Sequence, residues 1–261
     1  MLLDYHTHTI LSDGKNTHEE MITQAIKVGL AEYGFSDHVC LKPVSNKVVQ
    51  PNSFELMTKI ITRLKAKHQD IEIKYGIEMD YFPYLENKIK KAIDSLPLDY
   101  VIGSVHFIDE WIFDLDATGY AYRDINEIYE TYFDLIQKAA RSKLFDIIGH
   151  TDIIKIFNYR PTENMDALYD ETARIFKENN MVAEINTNGI NRPCREIYPS
   201  TQILEKFKKY DVEITFGSDA HVQARVGQFF DVAVKILNQL GFKYYVSFTN
   251  RQKKYLALPA I

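Results

Sequence analysis

Six of the eight histidines in this chain stand at the ends of apolar, strand-like runs: His6 and His8, His38, His106, His150 and His221. Another such run ends in Glu78, and the last one also carries Asp219. Residues i and i+2 of a strand point to the same side. His6 and His8 can therefore aim two imidazoles at one point, with Asp13 following in the next loop. A lone His-x-His recurs by chance in many chains. Six histidines in register at strand ends, joined by Asp13, Glu78 and Asp219, constrain the fold to one that brings strand ends together. The other two histidines, His18 in the first turn of a helix and His68 near a helix end, read as solvated surface residues.

Strand-like and helix-like stretches alternate along the chain. The strand runs are 2–8, 33–38, 71–78, 100–106, 145–150, 182–188 and 213–221, followed by a tail strand at 244–249. Amphipathic stretches lie between them, such as Phe54, Met57, Ile60, Ile61 and Leu64 on one helical face. Thr17 to Glu20 form a capping-box pattern before the first helix. Cys40 to Asn52, with two prolines, reads as a loop over one end of the fold. Seven βα units can form an open doubly wound sheet or a barrel. In an open sheet the first and last strands would lie too far apart to share a site. In a barrel all strand ends converge on one mouth, so the expected fold is α/β, a seven-unit TIM-like barrel with its site at the C-terminal mouth.

The 261 residues read as a single domain, since no Gly/Ser linker or low-complexity segment divides them. With 46% hydrophobic residues the chain can bury a full core without disulfides or a structural metal. A metal would therefore serve chemistry. The net charge of -5 and interspersed charges argue against a nucleic-acid surface. The first residues lack a signal peptide's basic start and long apolar run, and no stretch suits a membrane span. Cys40 and Cys194 form no metal or redox spacing, so a cytoplasmic location is expected.

Nitrogen and carboxylate donors without thiolate suit Zn, Mn or Fe. Nine donors are too many for one ion, so two or three divalent ions are expected, with Glu78 favoured as a bridge. Metals about 3.5–4 Å apart can clamp the attacking and leaving oxygens of a phosphate ester.

The series His-Thr-His8 with Ser-Asp13-Gly, Ser-Asp-His38, Gly-Ile-Glu78, Ser-Val-His106, Gly-His150-x-Asp152 and Gly-Ser-Asp219-Ala-His221 resembles the PHP (polymerase and histidinol phosphatase) superfamily. The stretches Glu184 to Gly189 and Glu196 to Ser200 are similar to its histidinol-phosphatase branch. The resemblance implies a distorted (β/α)7 barrel with a trinuclear centre. It assigns His6, His8, Glu78 and Asp219 to one metal, Glu78, His106 and His150 to a second, and Asp13, His38 and His221 to a third. Some relatives carry a histidine where this chain has Asp13.

The implied reaction is hydrolysis of a small phosphate monoester, L-histidinol phosphate, by in-line attack of a hydroxide held between metals. Arginine forks match phosphate oxygens. The loops after strands five and six supply Arg160, ranked first here, then Arg195 and Arg192. Asn186 and Asn188 lie near the mouth, and the acidic aromatic loop 109–120, with Glu110, is a candidate for the substrate's ammonium and imidazole. Asp219 or Asp152 can shuttle the proton to the leaving alkoxide. No Ser or Cys nucleophile pattern asks for a phosphoenzyme. The rival readings are another phosphoesterase on this scaffold, such as a 3′–5′ exonuclease, and a metal-stabilised interaction module without catalysis.

Overall fold

The computed structural model describes residues 2–42, 48–49 and 51–260. In chain order its first half holds β1 (Leu3–Asp4), α1 (His18–Lys27), β2 (Glu32–Phe35), β3 (His38–Val39), α2 (Phe54–Lys67), β4 (Glu72–Asp80), α3 (Glu86–Asp94) and β5 (Tyr100–Ser104). A small hairpin of β6 (Phe107–Ile108) and β7 (Trp111–Ile112) follows, then α4 (Ile125–Ser142), β8 (Ile147–Ile148) and α5 (Asp166–Glu178). The last part holds β9 (Val182–Asn186), α6 (Thr201–Lys209), β10 (Glu213–Gly217), α7 (Phe230–Gln239), β11 (Tyr244–Thr249) and β12 (Gln252–Ala257). Of the loop read at Cys40 to Asn52, residues 43–47 and 50 lie outside the described ones.

The main sheet is parallel and runs β1-β2-β4-β5-β8-β9-β10, so each strand pairs with its neighbour in the chain. β3 continues the line of β2 along β4 after a break at Ser36 and Asp37. First and last strands then meet: Tyr5 N–H donates to Phe216 O at 3.1 Å and His8 N–H to Ala220 O at 3.0 Å. Seven strands are thus nearly closed into a barrel, as expected from the convergence of polar strand ends.

Strands covered on both faces by crossovers must be apolar throughout, and 100–104 and 147–148 are fully buried. Tyr100 fills the interior. Its ring stacks on Tyr5 with centroids 4.5 Å apart, and its hydroxyl donates to Tyr5 O at 2.6 Å. The ring crosses Gly76 on β4 and Gly34 on β2, where a Cβ would fall 2.2 Å from Tyr100 Cζ and 2.1 Å from its hydroxyl. Both contacts are impossible, so Gly76→Ala is expected to cost roughly 3 kcal/mol or more through overpacking. Urea denaturation checks this, and a loss below about 1 kcal/mol would mean that the ring moves freely.

The far end of the barrel is closed by a hairpin, where the sequence pattern at 244–249 shows a single strand. β11 and β12 form an antiparallel hairpin, and Asn250 and Arg251 turn it with positive φ values of 49° and 62°. It lies against the N-terminal strand ends. Arg251 donates to Asp146 at 2.8 Å, Lys74 to Thr249 Oγ1 at 2.7 Å, and Asn250 N–H to Asp99 at 3.2 Å.

The helices follow their apolar faces. α1 begins at the Thr17–Glu20 capping box and buries Met21, Ile22 and Ala25. It also buries His18, which corrects the solvated reading: the ring packs on Phe35 at 4.7 Å, with Nε2 3.9 Å from Asp37. His68 is half-buried and pairs with Glu19 at 2.8 Å. Among the described residues no helix is long and apolar enough to cross a membrane.

Candidate metal centre

Eight of the nine donors sit near the C-terminal end of a barrel strand, and Asp13 comes from the loop after β1. The turns there are strained to aim side chains inward: His150 has φ 23° and Asp219 φ 51°, left-handed values that L-residues rarely adopt. His38 and Glu78 are direct partners in the β3–β4 register. Asp37 pins the loop carrying Asp13 by accepting from Thr9 N–H at 2.6 Å and Ser12 Oγ at 2.7 Å.

The donor atoms form three adjoining groups. His6 Nε2 and His8 Nε2 lie 3.2 and 3.6 Å from Glu78 Oε2, and 3.9 and 3.3 Å from Asp219 Oδ1. Four donors at about 2.0–2.1 Å around a tetrahedral ion stand about 3.3–3.4 Å apart, so this quartet has the spacing of an ion's coordination shell. Glu78 Oε1, His106 Nε2 and His150 Nε2 form a triangle with sides of 3.0, 3.2 and 3.5 Å. Asp13 Oδ1 lies 3.2 Å from His221 Nε2 and 3.6 Å from His38 Nε2. His38 also sets its Nδ1 2.7 Å from Glu78 Oε2. The two oxygens of Glu78 therefore face two separate sets of imidazoles, the arrangement of a bridging carboxylate.

Buried polar atoms nearly always have partners. Here His6 Nε2 and both nitrogens of His8 are buried with no hydrogen-bond partner. Donors converging at coordination distance, with orphaned lone pairs, fit divalent ions.

Electrostatics point the same way. Burial opposes charge on His38, but Glu78 beside it pushes its pKa up to about 9. Burial likewise opposes charge on His106, and Asp80 beside it raises the imidazole to about 10. Burial and the neighbouring His38 and His221 lower His8 to about 4, leaving it neutral. Burial disfavours the Glu78 carboxylate, yet His6 and His38 hold its pKa well below the usual range. At pH 7.5 the metal-free His38 and His106 therefore carry protons that a metal must displace. Full loading is expected to release at least two protons per chain, with affinity rising as pH climbs through about 9 and 10. Calorimetry in buffers of different ionisation enthalpy checks this, and uptake without proton release contradicts it.

The groups open into a cavity of about 130 Å³ whose other walls include Asp114, Ile153, Ile156, Asn188, Arg192 and Tyr198. Arg192, ranked last from the sequence, is the arginine lining it. Arg160, ranked first, is held by Glu196 at 2.9 Å and faces a neighbouring cavity with Asp152 and Lys155. Arg195 is exposed and donates to Ile190 O at 3.4 Å. Asp152 is tied to Lys155 at 2.8 Å and to Ser200 N–H at 2.9 Å, on the far side of the turn that presents Ile153 and Ile156. Glu110 is exposed, pairing with Lys42 at 2.5 Å, so the acidic loop reaches the cavity through Asp114 instead. The loop's aromatic rings pack among themselves, with Trp111 edge-on to Phe113 and Tyr120, and Tyr120 also stacks on Tyr159. Asn186 sits behind the donors: its Nδ2 reaches Glu184 at 3.1 Å and Asp219 at 3.4 Å. Asn188 lines the cavity and donates to Asp219 Oδ2 at 3.2 Å.

Two carboxylates behind the donors escaped sequence reasoning. Glu184 Oε1 lies 2.6 Å from His6 Nδ1, and Asp80 Oδ1 lies 2.7 Å from His106 Nδ1. Metal-binding histidines generally direct their second nitrogen to such a group.

The PHP domain family matches residues 4–188. The chain is 31% identical over 260 residues to a probable histidinol-phosphatase of Deinococcus radiodurans, covering 96% of this chain and 98% of that protein. It is 29% identical to the histidinol-phosphatase of Lactococcus lactis, covering 95% and 94% of the two chains. The crystal structure of the histidinol phosphate phosphatase from Lactococcus lactis, complexed with Zn, L-histidinol and phosphate, superposes with a TM-score of 0.84 and 25% identity, over 97% of this chain and 98% of that one. A parallel seven-stranded barrel, nine converging donors and a family match across most of the sequence lead to one assignment: this chain belongs to the PHP domain family.

Proposed function

We propose that the chain is a metal-dependent phosphate-monoester hydrolase that converts L-histidinol phosphate and water into L-histidinol and phosphate. The observation that carries this reading is the meeting of three donor groups with one guanidinium, Arg192, in a single small cavity. The histidinol-phosphatases among its relatives support the choice of substrate.

His6, His8, Glu78 and Asp219 would hold one ion, Glu78, His106 and His150 a second, and Asp13, His38 and His221 a third. Zn, Mn or Fe suits these donors, and such ions neutralise phosphate charge and acidify water. Arg192 binds the phosphoryl oxygens, where its fork stabilises charge on the group in transit. Asn188 fixes the ester by hydrogen bonds from the same wall, and Asp114 faces the cationic end of the substrate. Asp219 is the proton carrier. Burial disfavours its charge, but His6, His8 and His221 hold its carboxyl well below the usual range, so it starts ionised. It takes a proton from the attacking water and passes it to the departing alkoxide. Asp152, engaged by Lys155 and Ser200, has no part in this transfer.

A small cavity with an acidic wall and a net charge of -5 suits a small substrate and not nucleic acid. Two buried cysteines without a disulfide suit a reducing compartment such as the cytoplasm.

The test compares hydrolysis of L-histidinol phosphate, an aryl phosphate and short single-stranded DNA by protein of known metal content. A preference of about 10³ or more in kcat/KM for histidinol phosphate, about 4 kcal/mol of transition-state discrimination, is expected. Equal slow cleavage of all monoesters, or cleavage of DNA alone, defeats the substrate assignment.

A further inference from the structure

Glu184 on β9 is only 1% exposed and donates to nothing, yet three donors converge on it. Its Oε1 lies 2.6 Å from His6 Nδ1. Its Oε2 accepts from the backbone N–H of His150 at 2.7 Å and from Asn186 Nδ2 at 3.1 Å. These partners belong to different donor groups. His6 faces Glu78 Oε2 and Asp219, whereas His150 faces Glu78 Oε1 and His106. Asn186 reaches onward to Asp219 Oδ2 at 3.4 Å.

The surroundings are shaped to admit this carboxylate. On the neighbouring strand a Cβ at Gly217 would fall 1.9 Å from Glu184 Oε1 and 2.6 Å from His6 Cβ. Only a residue without a side chain leaves room there. The bond to Oε2 also holds His150 in its left-handed backbone conformation. Because all the partners are donors, two bare oxygens are required; the amide of a glutamine would turn an N–H against one of them.

We propose that Glu184 is the positioning residue that couples two metal positions. One oxygen fixes the His6 ring with its proton on Nδ1 and its Nε2 lone pair free, and the other sets the backbone that aims His150. The proposal rests on the metal reading above. Asp80 offers the contrast, since its 2.7 Å contact with His106 Nδ1 serves the second group alone.

The test measures ions bound per chain in wild type, Glu184→Gln and Asp80→Asn, loaded with zinc and then exposed to a graded chelator. Loss of an outer-shell partner weakens metal affinity about 10–100-fold. Glu184→Gln is expected to lose two ions at a chelator concentration that leaves wild type loaded, while Asp80→Asn loses one. Glu184→Asp, which keeps both oxygens, is expected to recover part of the affinity. A measurement on loaded wild type is independent of whether any variant folds: nitrogen-15 NMR of the histidines should place the His6 proton on Nδ1. Loss of one ion or none from Glu184→Gln overturns the coupling, as does a His6 proton on Nε2. If wild type itself takes up no zinc, the metal reading falls and this proposal with it. If wild type and Glu184→Gln load equally, only this proposal falls.

Discussion

Glu78→Gln is expected to empty the centre and to lower kcat/KM by at least about 10³-fold, roughly 4 kcal/mol. The substitution keeps shape and volume and removes one charge. That charge faces five imidazoles, with contacts of 3.2 Å to His6, 3.6 Å to His8, 2.7 Å to His38, 3.5 Å to His106 and 3.0 Å to His150. Each ion of the first two groups would lose its shared anionic donor, and the amide would present N–H groups to imidazole nitrogens. The metal-free fold should suffer as well. Burial opposes charge on His6 and His38, but neighbouring carboxylates, Glu78 among them, hold both imidazoles raised. Leaving buried charge uncompensated typically costs about 3–5 kcal/mol. Metal content, kcat/KM and chemical denaturation of the variant check the three parts. A variant that keeps its ions and acts within tenfold of wild type would show that Glu78 does not bridge.

Arg192→Ala is expected to lower kcat/KM by about 10²–10³-fold, the usual cost of removing one stabilising donor from a transition state (about 2.7–4 kcal/mol). Arg192 is the guanidinium on the cavity wall, facing Asn188 and the donor groups. Arg160→Ala should cost less than about tenfold, because Glu196 already takes its fork and its own cavity lies beyond the 152–156 turn. Steady-state kinetics on both variants decides the order. A larger loss from Arg160→Ala would mean that the segment carrying Arg160 and Glu196 rearranges when substrate binds.

The barrel, and the gathering of His, Asp and Glu side chains at its mouth, are legible because their signals are local. His6 and His8 share a face by strand periodicity, and most of the others stand near the end of a strand-like run, while Asp13 lies in the loop after the first strand. Convergence then follows from topology. The supporting shell was not legible, since its partners are remote: His6 and Glu184 are 178 residues apart in the chain, and no spacing links them. Asp80 lies two residues past the run at 71–78 and carries no signal of its own in the sequence, although it backs His106 across 26 residues. In the sequence only loop position separates the arginines. What separates them is their partners, Glu196 for Arg160 and the cavity for Arg192, and pairing is a tertiary property. His18 looked solvated because first helical turns usually are; the break between β2 and β3 brings Asp37 and Phe35 against it. The closing hairpin was read as one strand because its turn is Asn250-Arg251, without the glycine that most often marks two residues at positive φ.

Nine side chains at the barrel mouth are proposed to form one polynuclear centre. Anomalous diffraction at the metal edge, from crystals of the loaded wild-type protein, tests it most directly. Peaks are expected within about 2.0–2.3 Å of the donor atoms, one between His6, His8, Asp219 and Glu78 Oε2 and one between His106, His150 and Glu78 Oε1, with any third beside Asp13, His38 and His221. Peaks away from these atoms, or none in crystals soaked with saturating metal, would contradict it.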